Sequence, residues 1–349
     1  MGANFRSDNV TGAHEAILKA IAAANTGPAT PYGNDEATKR LQARFDQVFE
    51  TETAIFPVAT GTAANALSLA AAVPAWGAIY CHVESHVLLD ECNAPEFYTG
   101  GARLAPLPGA HGKIAAKTLE AALTSAPLGV HHAQPAAVTI TQLSEAGTAY
   151  TPAEVKALAK IAHKRGLTLH MDGARFANAL VGLGCSPAEI TWRAGVDILS
   201  FGATKNGAIA AEAIIVFKKS LAESLGFRRK RAGHLFSKMR FLSAQLEAYL
   251  KGDLWLKNAR HANAQAQAIA QDLSKIAGVR IVHPVAGNEV FAEMPAAMAG
   301  ALEKAGFAFE PWASWEGGSA AKPMFRMVAA FSTDPKDVDA LIAAARKAK

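Results

Sequence analysis

The sequence predicts an α/β fold in which a mostly parallel, seven-stranded sheet is covered by helices on both faces, followed by a smaller C-terminal α+β domain. Through the first two thirds of the chain, short β-rich runs alternate with helical patterns, which is typical of parallel sheets. The last third changes to a long helical stretch and then to short strands mixed with helices. The seven predicted strands cover residues 53–58, 78–83, 102–107, 136–141, 167–172, 197–201 and 213–217.

One β–α–β unit is nearly explicit between the fourth and fifth of these strands. Thr151-Pro-Ala-Glu154 combines a capping box with a proline at the first helical position. Because Lys164 and Arg165 precede Gly166, we expect this helix to end there. The sequence therefore predicts a helix that connects two parallel strands.

The C-terminal third predicts a long connector and a small mixed domain. Residues 233–276 are helical in pattern almost throughout, which predicts a connecting helical segment. The elements predicted after it are strands at 279–285, 289–293, 307–312 and 325–330 and helices at 297–305 and 334–347.

Composition indicates a globular protein with a large core. Half of the 349 residues are hydrophobic and only 19% are charged. The three cysteines show no C-x-x-C spacing, so neither a disulfide framework nor a metal site is predicted, and a reducing cytoplasm fits best. The polar N-terminus does not resemble a secretion signal. Residues 63–81 carry no charge, but Pro74 and Gly77 divide them into a helix and a strand, so we expect buried core and no membrane span.

The basic balance of the chain raises the question of an RNA partner. The net charge is +5, the pI is near 9.0, and Arg228-Arg-Lys-Arg231 forms a single basic run. A solvated helix face explains the same run, and we favour this interpretation, so no nucleic-acid partner is expected.

Lys205 and Asp172 are the most informative pair of residues. Asp172 ends an apolar strand in His170-Met-Asp-Gly-Ala-Arg175, where open α/β folds place ligands, and Lys205 follows the next predicted strand in Ser200-Phe-Gly-Ala-Thr-Lys-Asn-Gly207. A lysine amine can form a Schiff base with an aldehyde cofactor, and a carboxylate can keep a pyridine nitrogen protonated. The pair therefore indicates a pyridoxal phosphate enzyme. The simpler alternatives are an exposed loop lysine and a helix N-cap aspartate.

A phosphate site is predicted after the first strand. In Ala59-Thr-Gly-Thr-Ala-Ala-Asn65, the backbone N–H groups of Gly61, Thr62 and Ala63 open an alanine-rich helix and can bind an anion. The segment is no P-loop, and its small residues are equally compatible with close helix packing.

Two further residues are candidates because of their positions. His86 follows the strand at 78–83, where an imidazole can stack on a cofactor or move a proton, although an ordinary core or surface histidine is the alternative. Arg326 is a lone cation in an apolar strand, and a bidentate contact with an amino acid carboxylate would provide its partner.

These residues resemble the threonine aldolase family, among the fold-type I pyridoxal phosphate enzymes, over nearly the whole chain. The likeness is greatest to the bacterial low-specificity L-threonine aldolases that also accept phenylserine. The matching segments, in the family's order, are Phe5-Arg-Ser-Asp-Asn-Val-Thr11, Tyr32-Gly-Asn-Asp35, Thr60-Gly-Thr62, His86, His170-Met-Asp-Gly-Ala-Arg175, Lys205 and Arg326.

The resemblance implies a role for each matching position. Lys205 would carry the cofactor, Asp172 would pair with its ring nitrogen and His86 would stack on the ring. The residues that would bind the cofactor phosphate are Gly61, Thr62 and Arg240. The residues that would bind the substrate carboxylate are Ser7, Arg175 and Arg326, and Arg175 would also lie near the cofactor's phenolic oxygen. His131, or its neighbour His132, would contact the β-hydroxyl of the substrate.

The resemblance also implies an organisation and a reaction. Residues 1–15 would contribute to the active site, 16–250 would form the pyridoxal phosphate domain and 251–349 the small domain. The reaction would be retro-aldol cleavage of L-threonine, L-allo-threonine or phenylserine to glycine and an aldehyde. The base that takes the β-hydroxyl proton stays open between His86, His131 and a bound water.

Departures from the family concern the aldehyde pocket. Where many relatives have Glu-Asn-Thr-His, this chain has Thr139-Ile-Thr-Gln-Leu-Ser-Glu145, and Asp90 is unusual in its position near His86. The competing functions are β-elimination or racemisation on the same scaffold, and a cofactorless RNA-binding protein. A homodimer or homotetramer is expected, with Tyr32 and Arg240 reaching across subunit boundaries.

Overall fold

A computed structural model describes residues 3–313, 316–319 and 322–348 of the chain. Residues 1 and 2 of the predicted N-terminal segment and residue 349 of the predicted small domain lie outside the described residues. The large sheet has seven strands in the order β1-β7-β6-β5-β4-β2-β3. Their bounds are Ala54–Val58 (β1), Gly77–His82 (β2), Arg103–Leu107 (β3), Gln134–Thr141 (β4), Thr168–Gly173 (β5), Ile198–Phe201 (β6) and Glu212–Val216 (β7).

The sheet is mostly parallel, as predicted. Only β7 runs against its neighbours β1 and β6, and the other adjacent pairs are parallel. All seven predicted strands are confirmed to within two residues at each end. Strands β2, β5, β6 and β7 are buried along their whole length, which explains why their sequences read as continuous apolar runs.

Helices cover the large sheet and connect it to the second one. In chain order the α-helices are Glu15–Ala24 (α1), Glu36–Phe49 (α2), Gly61–Ala72 (α3), His86–Leu89 (α4), Ala94–Thr99 (α5), Ala116–Ser125 (α6), Pro152–Lys164 (α7), Phe176–Leu183 (α8), Pro187–Ile190 (α9), Leu225–Arg231 (α10), Arg240–Leu250 (α11), Leu254–Leu273 (α12), Ala296–Lys304 (α13) and Pro335–Lys347 (α14). Helix α7 begins with the predicted capping box, in which Thr151 and Glu154 each bond the other's backbone N–H.

The uncharged stretch at 63–81 is buried core, as predicted. Its helix α3 is buried continuously from Ala63 to Ala70, and the strand β2 that follows is buried throughout. Among the described residues, no helix combines the length and apolarity needed to cross a bilayer.

The predicted connector is not one continuous helix. Helices α11 and α12 are separated at Lys251–Asp253, where Gly252 has φ 59° and Asp253 has φ 57°. These left-handed conformations break the helix, and glycine and aspartate are among the residues that adopt them most easily.

The second sheet is antiparallel and has four strands in the order β10-β11-β9-β8. Its strands are Arg280–Ile281 (β8), Glu289–Glu293 (β9), Glu310–Pro311 (β10) and Met324–Val328 (β11). Strand β8 is shorter than predicted, because Pro284 has no N–H to continue the ladder. The N-terminal segment joins this unit, since Phe5 is buried in its core and pairs by backbone with Ala308 and Val328.

The basic run at 228–231 closes helix α10 but is not a uniformly solvated face. Arg229 is half-buried, its guanidinium stacks 5.5 Å from the Phe56 ring, and its Nη1 donates to the carbonyl of Pro57 at 3.3 Å. Lys230 instead lies over the ring of Tyr32 at 4.8 Å. Part of the run therefore stabilises the packing of α10.

Candidate active site

The candidate residues converge at the carboxyl edge of the large sheet. Asp172 lies at the end of β5, and Lys205 lies in the 3₁₀ turn that follows the neighbouring strand β6. His86 opens helix α4 shortly after β2, and Gly61 opens helix α3 after β1. Because β1, β2, β5 and β6 run in the same direction, their ends meet at one edge, where open α/β sheets bind ligands.

Asp172 is a buried carboxylate with fixed orientation. It is 3% exposed. Its Oδ2 accepts from Asn65 Nδ2 at 2.7 Å, and its Oδ1 accepts from the backbone N–H of Ala174 at 3.0 Å. The alternative role as a helix N-cap is wrong, since α8 starts at Phe176 with Arg175 in the cap position.

His86 is linked to Asp172 through two side chains. Its Nδ1 lies 2.8 Å from Glu91 Oε1, and the same oxygen accepts from Asn65 Nδ2 at 2.7 Å. The hydrogen bond to Glu91, together with the charge of Asp172, raises the pKa of His86. Burial raises the pKa of Glu91. His86 therefore donates its Nδ1–H to Glu91, which leaves Nε2 as the nitrogen that can exchange a proton.

A second buried glutamate lies against His86. Glu145 Oε1 accepts from the backbone N–H of His86 at 2.7 Å and from Thr141 Oγ1 at 3.0 Å. Burial raises the pKa of Glu145 to about 7. The segment that departs from the usual Glu-Asn-Thr-His pattern thus supplies a titratable carboxyl group to the site.

Lys205 is half-buried in a firmly anchored turn, so it is not an exposed loop lysine. Next to it, Asn206 Nδ2 donates to Tyr249 Oη at 2.7 Å and to the carbonyl of Trp255 at 2.9 Å. Glu212 accepts from the backbone N–H groups before Lys205, and burial raises the pKa of Glu212 to about 7.

Arg175 is held by two carboxylates. Its Nε and Nη2 donate to Asp8 at 2.8 and 3.1 Å, and Nη2 lies 3.4 Å from Glu289 Oε1. Burial opposes its charge, but Asp8 and Glu289 raise the pKa of Arg175. Burial likewise opposes the charge of Asp8, while Arg175 and Lys205 lower the pKa of Asp8. All three side chains of this group are nearly buried.

Arg326 has spare hydrogen-bonding capacity. Its guanidinium stacks 4.4 Å from the Trp312 ring, and Nη2 donates weakly to the carbonyl of Arg6 at 3.3 Å. Its Nε is buried and has no hydrogen-bond partner among the described residues. Ser7 lies between Arg6, whose carbonyl accepts from Arg326, and Asp8, which accepts from Arg175. Its Oγ accepts from the N–H of Asn9 at 3.1 Å.

The predicted phosphate cradle needs one correction. Thr60 caps α3, and its Oγ1 already accepts from the N–H of Ala63 at 3.2 Å. Gly61 and Thr62 are therefore the donors at this helix start, and a Cβ at Gly61 would meet no atom within 4 Å. His234 lies next to the cradle and accepts from the N–H of Ala59 at 3.2 Å.

His131 is not brought to the site within one chain, and Arg240 is hydrogen-bonded to a backbone carbonyl of the N-terminal region. His131 is exposed in the loop before β4, whereas Asp172 is paired with Thr141 at the other end of that strand. The eight residues of β4 separate the two by about 25 Å. Arg240 opens α11, where its Nη1 donates to the carbonyl of Gly27 at 2.9 Å. The strand directions therefore place His131 away from Asp172 within one chain. The role of Arg240 across a subunit boundary stays a prediction.

Several residues of the site were not singled out from the sequence. They are Asp8, Asn65, Glu91, Glu145, Glu212 and Glu289. Asp8, Asn65 and Glu145 lie inside segments quoted in the sequence analysis, and Glu91 follows His86 by five residues. No local pattern distinguishes Glu212 and Glu289, because their contacts with the site depend on the tertiary fold.

Comparison with known proteins identifies the family of the chain. The family described as "Beta-eliminating lyase" matches residues 4–297. A low specificity L-threonine aldolase of Pseudomonas aeruginosa is 42% identical over 305 residues, which is 87% of this chain and 88% of that protein.

Solved structures show the same fold. A threonine aldolase of Leishmania major superposes with a TM-score of 0.92 at 25% identity and covers 99% of this chain and 98% of its own. A serine palmitoyltransferase of Sphingomonas wittichii reaches a TM-score of 0.73 at 14% identity, over 99% of this chain and 87% of its own, and supports the fold-type I architecture alone. The chain belongs to the threonine aldolase group of the β-eliminating lyase family.

Proposed function

We propose that the protein uses pyridoxal phosphate to cleave L-threonine and related β-hydroxy-α-amino acids, including L-allo-threonine and phenylserine, into glycine and an aldehyde. The observation that carries this proposal is the buried, oriented carboxylate of Asp172 beside the half-buried amine of Lys205, in a chain that is 42% identical to low specificity L-threonine aldolases.

The residues present fit this cofactor. Lys205 offers an amine to its aldehyde, Asp172 offers a carboxylate to its ring nitrogen, and Gly61 and Thr62 offer backbone N–H groups beside open space for its phosphate. When bound, pyridoxal phosphate supplies an electron-withdrawing ring that stabilises the negative charge left on Cα as a bond to it breaks.

Asp172 keeps the ring nitrogen protonated. Its two oxygens are fixed by Asn65 and Ala174, so the carboxylate does not have to reorganise during the reaction. With the cofactor bound, this buried carboxylate would favour a proton on the adjacent ring nitrogen.

His86 Nε2 takes the proton of the substrate's β-hydroxyl. Because Nδ1 is bound to Glu91, the ring is fixed in one tautomer and the charge that it acquires is stabilised by a buried carboxylate. His131 remains a candidate only if a second subunit supplies it, since β4 separates it from Asp172 within the chain.

Arg326 holds the substrate carboxylate, with Ser7 beside it. Its buried Nε has no partner among the described residues, whereas the donors of Arg175 are engaged by Asp8 and Glu289. Arg326 is therefore the guanidinium that gains most from a carboxylate ligand. Arg175, held by Asp8 and Glu289, supports the site in which Arg326 and Ser7 bind the substrate carboxylate.

We also propose a homo-oligomer, a dimer or tetramer, in the cytoplasm. His131 lies away from the site of its own chain, so the role implied for it requires a second subunit, and the resemblance places Arg240 at a subunit boundary as well. An open groove of about 1160 Å³ borders Arg240 between α1, α2 and α11. Light scattering on the cofactor-loaded protein tests this proposal, and a monomer of full activity would contradict it.

Product analysis tests the reaction. Purified protein loaded with pyridoxal phosphate is incubated with L-threonine, L-allo-threonine or phenylserine, and glycine and aldehyde are measured against ammonia and 2-oxo acid. Equal amounts of glycine and aldehyde support the proposal. Ammonia with a 2-oxo acid would identify a β-eliminating lyase instead, and D-amino acid would identify a racemase. The K205A variant is the control for cofactor-dependent turnover.

A further inference from the structure

Three metal-ligating side chains meet where the two sheets adjoin. His111 lies in the 3₁₀ turn Ala110–Gly112 after β3 of the large sheet, His283 follows β8 of the second sheet, and Glu316 lies between β10 and β11. The Nδ1 atoms of the two histidines are 3.0 Å apart. Oε2 of Glu316 is 3.8 Å from the first nitrogen and 3.5 Å from the second.

The backbone around His111 is built to hold this arrangement. His111 has φ 57°, which is unusual for a residue other than glycine. Its N–H donates to both oxygens of Glu316, at 2.8 and 2.6 Å. Its carbonyl accepts from Ser144 Oγ at 3.1 Å and Thr148 Oγ1 at 2.7 Å. Glu316, Ser144 and Thr148 therefore fix the backbone that carries the His111 imidazole.

The distances match a tetrahedral metal centre. With metal–nitrogen and metal–oxygen bonds of about 2.1 Å, tetrahedral ligand atoms lie about 3.4 Å apart. The observed separations lie around that value, and the two rings are nearly perpendicular, at 85°. The ring of His283 is only 3% exposed, and burial favours the neutral imidazole that a metal requires.

We propose that His111, His283 and Glu316 bind one divalent transition metal ion, of which Zn²⁺ is the representative. Two imidazole nitrogens and one carboxylate oxygen suit Zn²⁺ or Co²⁺ and disfavour Mg²⁺ and Ca²⁺, which prefer oxygen ligands alone. The fourth tetrahedral position is left for water. The ion joins loops of both sheets, and it is separate from the residues that bind the cofactor and substrate.

A Co²⁺ titration tests the site without using enzyme activity. The cofactor-loaded protein is dialysed against a chelator and then titrated with Co²⁺, whose visible absorption becomes intense in tetrahedral coordination. We expect one Co²⁺ per chain, displaced by Zn²⁺, and a higher thermal midpoint when Zn²⁺ is present. H111N and E316Q are expected to weaken binding at least about tenfold.

These two variants are chosen so that folding is preserved. Asparagine tolerates the left-handed backbone of His111, and glutamine retains an oxygen that accepts from the N–H of His111. H163N is the matched control, because His163 also pairs with a carboxylate, Asp197, but belongs to no three-ligand group among the residues that the structure describes. It is expected to bind Co²⁺ like the unchanged protein.

Three results would overturn the proposal. The first is the failure of Co²⁺ and Zn²⁺ to bind at one ion per chain. The second is unchanged affinity in both H111N and E316Q, which would leave the contacts as hydrogen bonds only. The third is binding that is lost in H86N but kept in these variants, which would place the ion at His86, Glu91 and Asp172 in the active site.

Discussion

Replacing Asp172 with asparagine tests the electronic role of the carboxylate. An amide of the same shape cannot hold a proton on the cofactor's ring nitrogen, because it carries no charge. Removing one preorganised electrostatic contact of this kind lowers turnover by about 10²- to 10³-fold. We expect kcat for L-threonine to fall by this factor at saturating pyridoxal phosphate, while the cofactor remains bound.

The structure also gives the stability cost of D172N. Both oxygens of Asp172 face donors, Asn65 Nδ2 and the N–H of Ala174, and an amide oxygen can satisfy only one of them. The other donor then faces an NH₂ group, which costs about 1.5–3 kcal/mol for a lost charge-assisted hydrogen bond. A lower thermal midpoint is therefore expected together with the loss of turnover.

D197N is the matched control. Asp197 Oδ2 also accepts from one backbone N–H, that of Leu169 at 2.8 Å, and lies 2.9 Å from His163 Nε2, at the opposite edge of the same sheet. D197N is expected to lose stability but not kcat. The assay is acetaldehyde release, with bound cofactor measured by absorbance. Turnover of D172N within tenfold of the unchanged enzyme, at full cofactor occupancy, would show that the charge of Asp172 is not needed for catalysis.

Three further predictions concern neighbouring residues. E91Q removes the charged hydrogen-bond partner that raises the pKa of His86, so the acidic limb of kcat/KM should move to lower pH; an unmoved limb would exclude His86 as the base. Because burial raises the pKa of Glu145 to about 7 from its usual 4.5, its contribution to stability is present below pH 4.5 and is lost as the pH rises through 7. E145Q keeps both hydrogen bonds of Oε1 and should remove a loss of about 2 kcal/mol in the free energy of unfolding between pH 5 and pH 7; parallel pH dependences would contradict this assignment. R326L should lower kcat/KM for L-threonine by about 10- to 100-fold, mainly by raising KM. R326K should recover only part of this kcat/KM, because lysine lacks the planar guanidinium that binds a carboxylate through two hydrogen bonds. An unchanged KM in R326L would assign the binding of the substrate carboxylate to Arg175.

Much of the fold could be predicted because it depends on local patterns. The seven strands follow apolar runs, and helix α7 follows its capping box at Thr151 and Glu154. The break between α11 and α12 was not predicted, since Gly252 and Asp253 are also tolerated inside helices and only their left-handed backbone ends one. Strands β8 and β10 have two residues each, too few to show a periodicity.

Some residues of the candidate site could also be predicted from the sequence, and others could not. Lys205, Asp172, His86 and Arg326 stand out because a polar residue at the end of a strand, or inside an apolar one, is unusual there. Glu145 does not stand out. Its role depends on β2 and β4 being neighbours in the sheet, which brings residues 59 positions apart into contact.

The positions of His131 and Arg240 relative to the site could not be predicted from the sequence for a different reason. A one-dimensional pattern fixes their order along the chain but not the edge of the sheet or the subunit in which they act. His131 precedes β4 and Asp172 ends the parallel strand beside it, so the two lie at opposite edges. Only the strand directions reveal this.

We expect the cofactor to be attached to Lys205 at the sheet edge where Asp172 lies. Borohydride reduction of the cofactor-loaded protein, followed by digestion and mass spectrometry of the peptides, tests this attachment. We expect one pyridoxyl group per chain, on the peptide that contains Lys205, and none in K205A. A pyridoxyl group on another lysine, or an unmodified chain after reduction, would contradict it.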